Sequence, residues 1–394
     1  MNPNPVVLIV TSAFGDGHVK VAEAMEQSFK SRGIHRVHTV DLFAEVHPRL
    51  NELSRRFYLN RAALAQALYG LMYTKTSGIK PGRGLGRLLH SLGKRKVRKI
   101  LDAMRPDVII HTFPYLAAAE IGGEAVSGVP VFTVMTDYVL HGRWLHPNTM
   151  KYFVATESMK QSLLAEGVAE EAAVVSGIPI RPAFETWQDR ERLMHKHGLN
   201  GSRRYVLLAA GAYGVLADIS KLIKSIITES EFDLIVLCGK NHKLRSDMEG
   251  LYRENKRVHL LGYTEEMQEL MSVSTCLLTK AGGITLTEAI AQSLPVIVYR
   301  PLPGQEAGNA EWLSRHSIID TARDEEQLIA CLRQLEKPSY RWERIRRMKS
   351  FSRKSSAGFI VSEILDALEK KQPAAGQQKF NIAEGKVKTV HGYL

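Results

Sequence analysis

Lys280-Ala281-Gly282-Gly283-Ile284-Thr285-Leu286-Thr287-Glu288-Ala289 follows the apolar run Cys276-Leu277-Leu278-Thr279 and opens a helical pattern. A strand that turns through two glycines into a helix is the repeating unit of a parallel α/β sheet. With no Cβ at the turn, a ligand can approach the backbone closely. The helix behind it aims free N–H groups and its positive dipole end at the same spot, which suits a diphosphate. Glu288 falls about one turn into that helix, placed to accept hydrogen bonds from two ribose hydroxyls. Pro301-Leu302-Pro303-Gly304-Gln305-Glu306-Ala307-Gly308-Asn309-Ala310 follows closely. A Gly-Gly turn alone is an ordinary tight connection, and an exposed helical Glu is usually a solvated face. The joint pattern points to a nucleotide-linked small molecule.

Working outward, short apolar runs recur on both sides. Strands are expected at 205–210, 234–238, 258–261, 275–278 and 295–299, with helices at 215–227, 244–255 and 265–272. An earlier series places strands at 6–10, 37–40, 108–110, 131–134, 152–155 and 173–176, with helices at 20–32 and 94–104. Alternation of this kind predicts two doubly wound, Rossmann-like parallel sheets whose strands are buried on both faces. Gly177-Ile178-Pro179-Ile180-Arg181-Pro182 interrupts the pattern as an extended crossing. The expected division is an N-terminal domain 1–182, a C-terminal domain 183–350, a helix 351–371 and a tail 372–394 with little apolar periodicity. Ligands in open α/β sheets bind beyond the carboxyl ends of the strands, so two facing domains make a cleft lined by loops of both.

The chain has 394 residues, 44% of them hydrophobic and 24% charged, as expected of a globular protein with two domains. Cys238, Cys276 and Cys331 are widely spaced in apolar contexts, which argues against a disulfide framework or a zinc site. No secretory signal and no run of the ~20 apolar residues that span a bilayer is visible, so any membrane contact is expected to be peripheral. The net charge of +12 is concentrated. Residues 53–101 hold twelve Lys and Arg and no Asp or Glu, so the rest of the chain sums to zero. That span is also rich in Leu, Met and Tyr. Arg83, Arg87, Lys94, Arg95 and Lys96 are therefore candidates for contact with an anionic lipid surface. The competing readings are a solvated basic face and nucleic acid, but no nucleic-acid module accompanies the span.

Loops after other strands carry chemistry. Thr11-Ser12-Ala13-Phe14-Gly15-Asp16-Gly17-His18 puts a histidine at a helix N-terminus, where the dipole should keep it neutral and able to act as a base. The ending lacks Gly-Lys-Ser/Thr, so it is not a Walker loop. Thr136-Asp137-Tyr138 follows another strand, and Asp137 either orients His18 or takes a proton itself. Trp144 is placed to line an acceptor pocket. His141 and His146 have too few companions to propose a metal. In the second half, the small-residue loop with Gly211, Tyr213 and Gly214 is a further phosphate approach, and Tyr263 is placed to flank a nucleobase.

These pieces, in this order, resemble the processive diacylglycerol β-glucosyltransferases of Gram-positive bacteria and the related monogalactosyldiacylglycerol synthases. The most specific are Phe14-Gly15-Asp16-Gly17-His18, Thr112-Phe113-Pro114, Met135-Thr136-Asp137, Gly177-Ile178-Pro179-Ile180-Arg181-Pro182, the 280–288 segment and Pro303-Gly304-Gln305-Glu306. The likeness runs from about residue 6 to 368 and departs at Ala281, where close relatives carry proline. It implies an α/β GT-B fold with UDP-glucose as donor, diacylglycerol and glucosyl-diacylglycerol as acceptors, and no metal cofactor. By position it implies Gly282, Gly283 and Thr285 at the diphosphate, Glu288 at the ribose, Gln305 and Asn309 at the sugar or its phosphate, and His18 as base. A UDP-galactose- or UDP-GlcNAc-dependent transferase, a sugar-nucleotide epimerase and a non-catalytic UDP-sugar sensor on the membrane stay open as alternatives.

Overall fold

The computed structural model describes residues 4–12, 17–46, 48, 94–115, 119, 128–209 and 219–370; of Phe43 and Lys94 only the backbone is described. The sequence-predicted roles of Gly211, Tyr213, Gly214, Arg83 and Arg87, and the tail 372–394, fall outside these residues. Element labels below count the described elements only.

The first sheet holds β1 (Val7–Thr11), β2 (Val37–Asp41), β3 (Val108–His111), β4 (Val131–Val134), β5 (Lys151–Val154) and β6 (Ala173–Val175) in the order β2-β1-β3-β4-β5-β6. The second holds β7 (Tyr205–Ala209), β8 (Asp233–Leu237), β9 (Val258–Leu261), β10 (Cys276–Thr279), β11 (Val296–Tyr299) and β12 (Asp320–Ala322) in the order β12-β11-β10-β7-β8-β9. Every pairing is parallel. The inner strands β1, β3, β4, β7, β8, β10 and β11 are buried at every residue, whereas the edge strand β2 has only exposed and partly buried positions. Unbroken Val/Ile/Leu runs are what a sheet covered by helices on both faces requires.

The sequence pattern misses β12. Its three residues, Asp-Thr-Ala, carry no strand signal of their own. They join the sheet by pairing Ile297 with Asp320, whose carboxylate accepts from the Tyr340 hydroxyl at 2.7 Å and is bridged by Arg344. Helix ends also shift. α1 (Gly17–Lys30) starts three residues before the expected position, and the helix expected at 244–255 spans His242–Tyr252 behind an Asn241 side-chain cap. α3 (Lys94–Met104), which follows the short α2 (Leu42–Val46), has the expected bounds. On α3, Arg95, Lys96, Arg98 and Lys99 are exposed while Val97 and Leu101 are buried, and the Lys96 ammonium donates to the Glu45 carbonyl.

Between the sheets, Gly177 has φ +77°, and a Cβ there would meet Ser356 Oγ at 2.6 Å and Arg353 Cβ at 3.1 Å. Only glycine supplies both the left-handed backbone and the missing side chain. The helix Ser356–Glu369 crosses back and lays Ile360, Val361 and Ile364 into the same apolar core as Val21, Met25 and Phe29 of α1. Arg32 donates to the Gly358 carbonyl at 2.7 Å, and Lys151 pairs with Glu363 at 2.7 Å. Among the described residues no helix is long and apolar enough to cross a membrane.

Candidate active site between the two sheets

The carboxyl ends of β1, β3 and β4 face the carboxyl end of β10 across a narrow interface. α1 supplies His18 at its first turn. The His18 Nδ1 lies 2.8 Å from the Thr112 carbonyl oxygen and 3.2 Å from the Thr136 hydroxyl. A carbonyl only accepts, so Nδ1 carries the proton and Nε2 keeps its lone pair. Phe113 meets the imidazole edge-on at 5.0 Å, and buried Trp144 lies 6.4 Å from it. Burial pulls the His18 pKa down to about 4, against the opposing pull of the Thr112 bond. The expected neutrality therefore follows from desolvation first, not from the helix terminus.

Asp137 lies on the loop after β4 and is 3% exposed. Its Oδ1 accepts from Asn309 Nδ2 at 2.9 Å, and Gln305 bonds it as well. Burial is the largest influence and lifts its pKa to about 6. The expectation that Asp137 orients His18 is corrected: the groups that fix the imidazole are Thr112 and Thr136. His141 and His146 are buried turn residues whose Nδ1 atoms accept from the backbone N–H of Arg143 and Asn148.

From the second sheet, α9 (Gly283–Ala291; α4 to α8 are Glu157–Ala165, Arg190–Lys196, Ile219–Glu229, His242–Tyr252 and Met267–Val273) begins behind the cap residue Gly282. No described atom lies within 4 Å of a Cβ built on Gly282. A Cβ on Gly283 would sit 2.2 Å from the Thr136 carbonyl oxygen and 3.1 Å from Asp137 Oδ1. Gly283 therefore faces the other domain in this conformation, and its lack of a side chain is what lets the two sheets approach. Gly283→Ala is expected to force them apart and to cost about 1–3 kcal/mol of stability through overpacking. A melting curve checks this; an unchanged melting temperature would contradict it. Thr285 is partly exposed in the first turn.

Glu288 is 7% exposed; none of the described residues donates a hydrogen bond to its carboxylate, whose oxygens keep some contact with solvent. Burial raises its pKa to about 7, opposed by Arg181 and Lys20 and reinforced by Glu23. A solvated helix face, the ordinary fate of such a residue, is therefore not what the structure shows. A buried carboxylate without a donor costs stability, and such groups concentrate at functional sites. Lys20 and Arg181 also approach Glu265 at 3.4 and 3.8 Å, and Glu265 accepts from the exposed Tyr263 hydroxyl at 2.6 Å. Neither cation was assigned a role from the sequence. Arg181 stands in the crossing segment read as a linker, and Lys20 opens the helix expected at 20–32.

α10 (Gln305–Arg315) starts after Gly304, whose φ of +95° favours glycine. Asn309 on this helix is fully buried. It accepts from the Tyr138 N–H at 2.8 Å and donates to Asp137 and to the Ala281 carbonyl at 3.1 Å. Asn309 thus spends its amide on joining the domains here, rather than on an open cleft. Lys280 pairs with Glu306 at 3.0 Å behind it. The structure brings His18, Trp144, Asp137, Gly283, Glu288, Gln305 and Asn309 to one interdomain seam.

Two enzymes of known structure share the architecture. MurG of Acinetobacter baumannii superposes with a TM-score of 0.62 at 15% identity, over 92% of this chain and 100% of that one. The UDP-GlcNAc 2-epimerase of Neisseria meningitidis gives 0.59 at 16%, over 91% and 99%. Together with the two facing parallel sheets they define a GT-B fold. Residues 18–180 match the family described as Monogalactosyldiacylglycerol (MGDG) synthase, and residues 210–357 match the glycosyltransferase family 28 C-terminal domain. A processive diacylglycerol beta-glucosyltransferase of Bacillus cereus strain AH187 is 36% identical over 93% of this chain and 94% of its own length. One of Bacillus thuringiensis strain Al Hakam is 35% identical over 93% and 95%. The chain is a glycosyltransferase, and it belongs to the diacylglycerol glucosyltransferase family that these relatives represent.

Proposed function

We propose that this protein transfers glucose from UDP-glucose to diacylglycerol with inversion, giving a β-glucosyldiacylglycerol, and that the product can return as acceptor for further sugars. The observation that carries the donor side is Glu288, a largely buried residue whose carboxylate takes no hydrogen bond from the described residues, one turn into a helix whose N-terminus faces the other domain. UDP fits it: the pyrophosphate takes the N–H groups of the first turn near Gly282, Gly283 and Thr285, and the ribose hydroxyls supply the missing donors. Residues 183–350 form the donor domain in this reading, residues 1–182 the acceptor domain, and 351–371 the returning helix.

In the reaction, the lipid hydroxyl oxygen attacks the anomeric carbon as its proton passes to His18 Nε2. The bond from that carbon to the phosphate oxygen breaks, and its electron pair leaves on UDP. Thr112 and Thr136 hold the imidazole so that Nε2 is the basic nitrogen. The first turn of α9 stabilises charge on the departing diphosphate through fixed N–H dipoles. No metal is required by this scheme.

The acceptor lies in a bilayer, so the basic face must meet lipid. We assign that contact to the acid-free span that includes Arg83, Arg87, Lys94, Arg95 and Lys96, with docking on the cytoplasmic surface of the cell membrane. Changing these five to Gln removes about 1 kcal/mol each and is expected to cut binding to phosphatidylglycerol vesicles by more than ~100-fold while UDP binding is kept. Co-sedimentation that is the same as wild type would refute the assignment.

The activity is tested by incubating the full chain with diacylglycerol vesicles and UDP-glucose, UDP-galactose or UDP-GlcNAc in turn, followed by mass spectrometry and linkage analysis of the lipids. The reading expects β-linked glucosyl lipids from UDP-glucose, with more than one sugar at long times. Product from UDP-galactose alone would move the donor assignment, and UDP binding without any product would favour a sensor.

A further inference from the structure

The first domain already occupies part of the site that the donor needs. The loop at residues 136–139 lies on the first turn of α9, with the Thr136 carbonyl and Asp137 Oδ1 packed where any side chain at Gly283 would stand. Asp137 takes hydrogen bonds from Asn309 and Gln305, the two residues of the 301–310 segment assigned to the sugar or its phosphate. Tyr138 adds a hydroxyl bond to Thr287 at 2.7 Å, gives its N–H to Asn309, and stacks on Trp312 at 5.8 Å. Val139 fits beneath Gly308, where a Cβ would come within 2.9 Å of it. Of the second domain's polar side chains, Asn309, Gln305 and Thr287 are thus engaged from across the seam.

We propose that residues 136–139 form a latch over the donor helix, with the Asp137 carboxylate competing with an anionic group of the sugar nucleotide for the same place. The latch rests on the donor-site reading above. A pyrophosphate and a carboxylate cannot share one helix terminus, because like charges that close repel strongly in a partly buried setting. Donor entry therefore breaks the Asp137–Asn309 bond, frees the Asn309 amide for the sugar and withdraws the loop. The binding energy spent on opening lowers the apparent affinity by the fraction of molecules that are open.

Two measurements on the full chain, without lipid, test this with UDP as the probe. In calorimetry, Asp137→Ala should bind UDP about tenfold more tightly than wild type, because the competing carboxylate is gone. In hydrogen exchange of the wild type, UDP should speed exchange of the Tyr138 amide, whose partner Asn309 leaves, while the first turn of α9 slows. Unchanged or weaker UDP binding by Asp137→Ala overturns the latch, as does a Tyr138 amide that UDP leaves alone or protects. If Asp137→Ala does not fold, the exchange result decides. If wild-type protein binds no UDP at all, the donor-site reading falls first and the latch falls with it.

Discussion

His18→Ala is expected to lower turnover of glucosyl lipid by about 100- to 10,000-fold, the range that a positioned general base contributes, while UDP affinity stays near wild type. The residue sits on the acceptor side of the seam and makes its hydrogen bonds to Thr112 and Thr136, so removing it leaves the donor contacts intact. A loss of UDP affinity as large as the loss of turnover would assign it to binding instead. The pH profile separates it from the other candidate base. A His18 base is active when unprotonated, so the acid limb of kcat/KM should fall near its pKa of about 4. If Asp137 were the base, the limb would fall near about 6. A limb near 6 that disappears in Asp137→Asn would contradict the assignment to His18.

The second large effect concerns Glu288. Its pKa is about 7 in the folded protein against an ordinary 4.5, so the native state binds the proton more tightly than the unfolded chain. The stability tied to that proton is full below 4.5 and is lost as pH rises through about 7. Asp137, raised to about 6, acts in the same direction, whereas His18, lowered to about 4, loses stability as pH falls. Wild-type stability across this window is therefore a sum of opposing slopes. Glu288→Gln removes one of them. Relative to wild type, its unfolding free energy should shift by about 3 kcal/mol in its favour between acid pH and pH above about 7. The same variant should bind UDP about 10- to 100-fold more weakly, since it gives up charge-assisted hydrogen bonds to the ribose. Chemical denaturation at several pH values and calorimetry with UDP check the two halves. A pH-independent stability difference would show that the carboxylate is ionised in the empty protein.

Much of the fold was legible because parallel strands buried on both faces have to be written as continuous apolar runs. The runs at 108–110, 131–134 and 234–238 are of this kind. β12 was not legible, since Asp-Thr-Ala becomes a strand only through the register offered by β11 and the grip of Tyr340 and Arg344 on Asp320. In the site, the glycines and the strand-end positions of His18 and Asp137 could be read from chain order alone. What each side chain touches could not. Asp137 bonds Asn309, 172 residues away, and His18 bonds Thr112, 94 residues away. Gly283, expected at the diphosphate, also packs against the Thr136 carbonyl of the other domain, because chain order does not say what stands opposite a missing side chain. Glu288, expected at the ribose, is buried where α9 packs on α1.

The central claim is that one seam between the sheets holds the sugar nucleotide on α9 and presents the acceptor at His18. An experimental structure of the full chain with UDP tests it most directly. The account predicts the ribose hydroxyls on the Glu288 carboxylate, the pyrophosphate at the N-terminus of α9 in place of Asp137, and His18 Nε2 facing the open side of the terminal phosphate. UDP bound elsewhere, with Glu288 still without a donor and Asp137 still on Asn309, would contradict it.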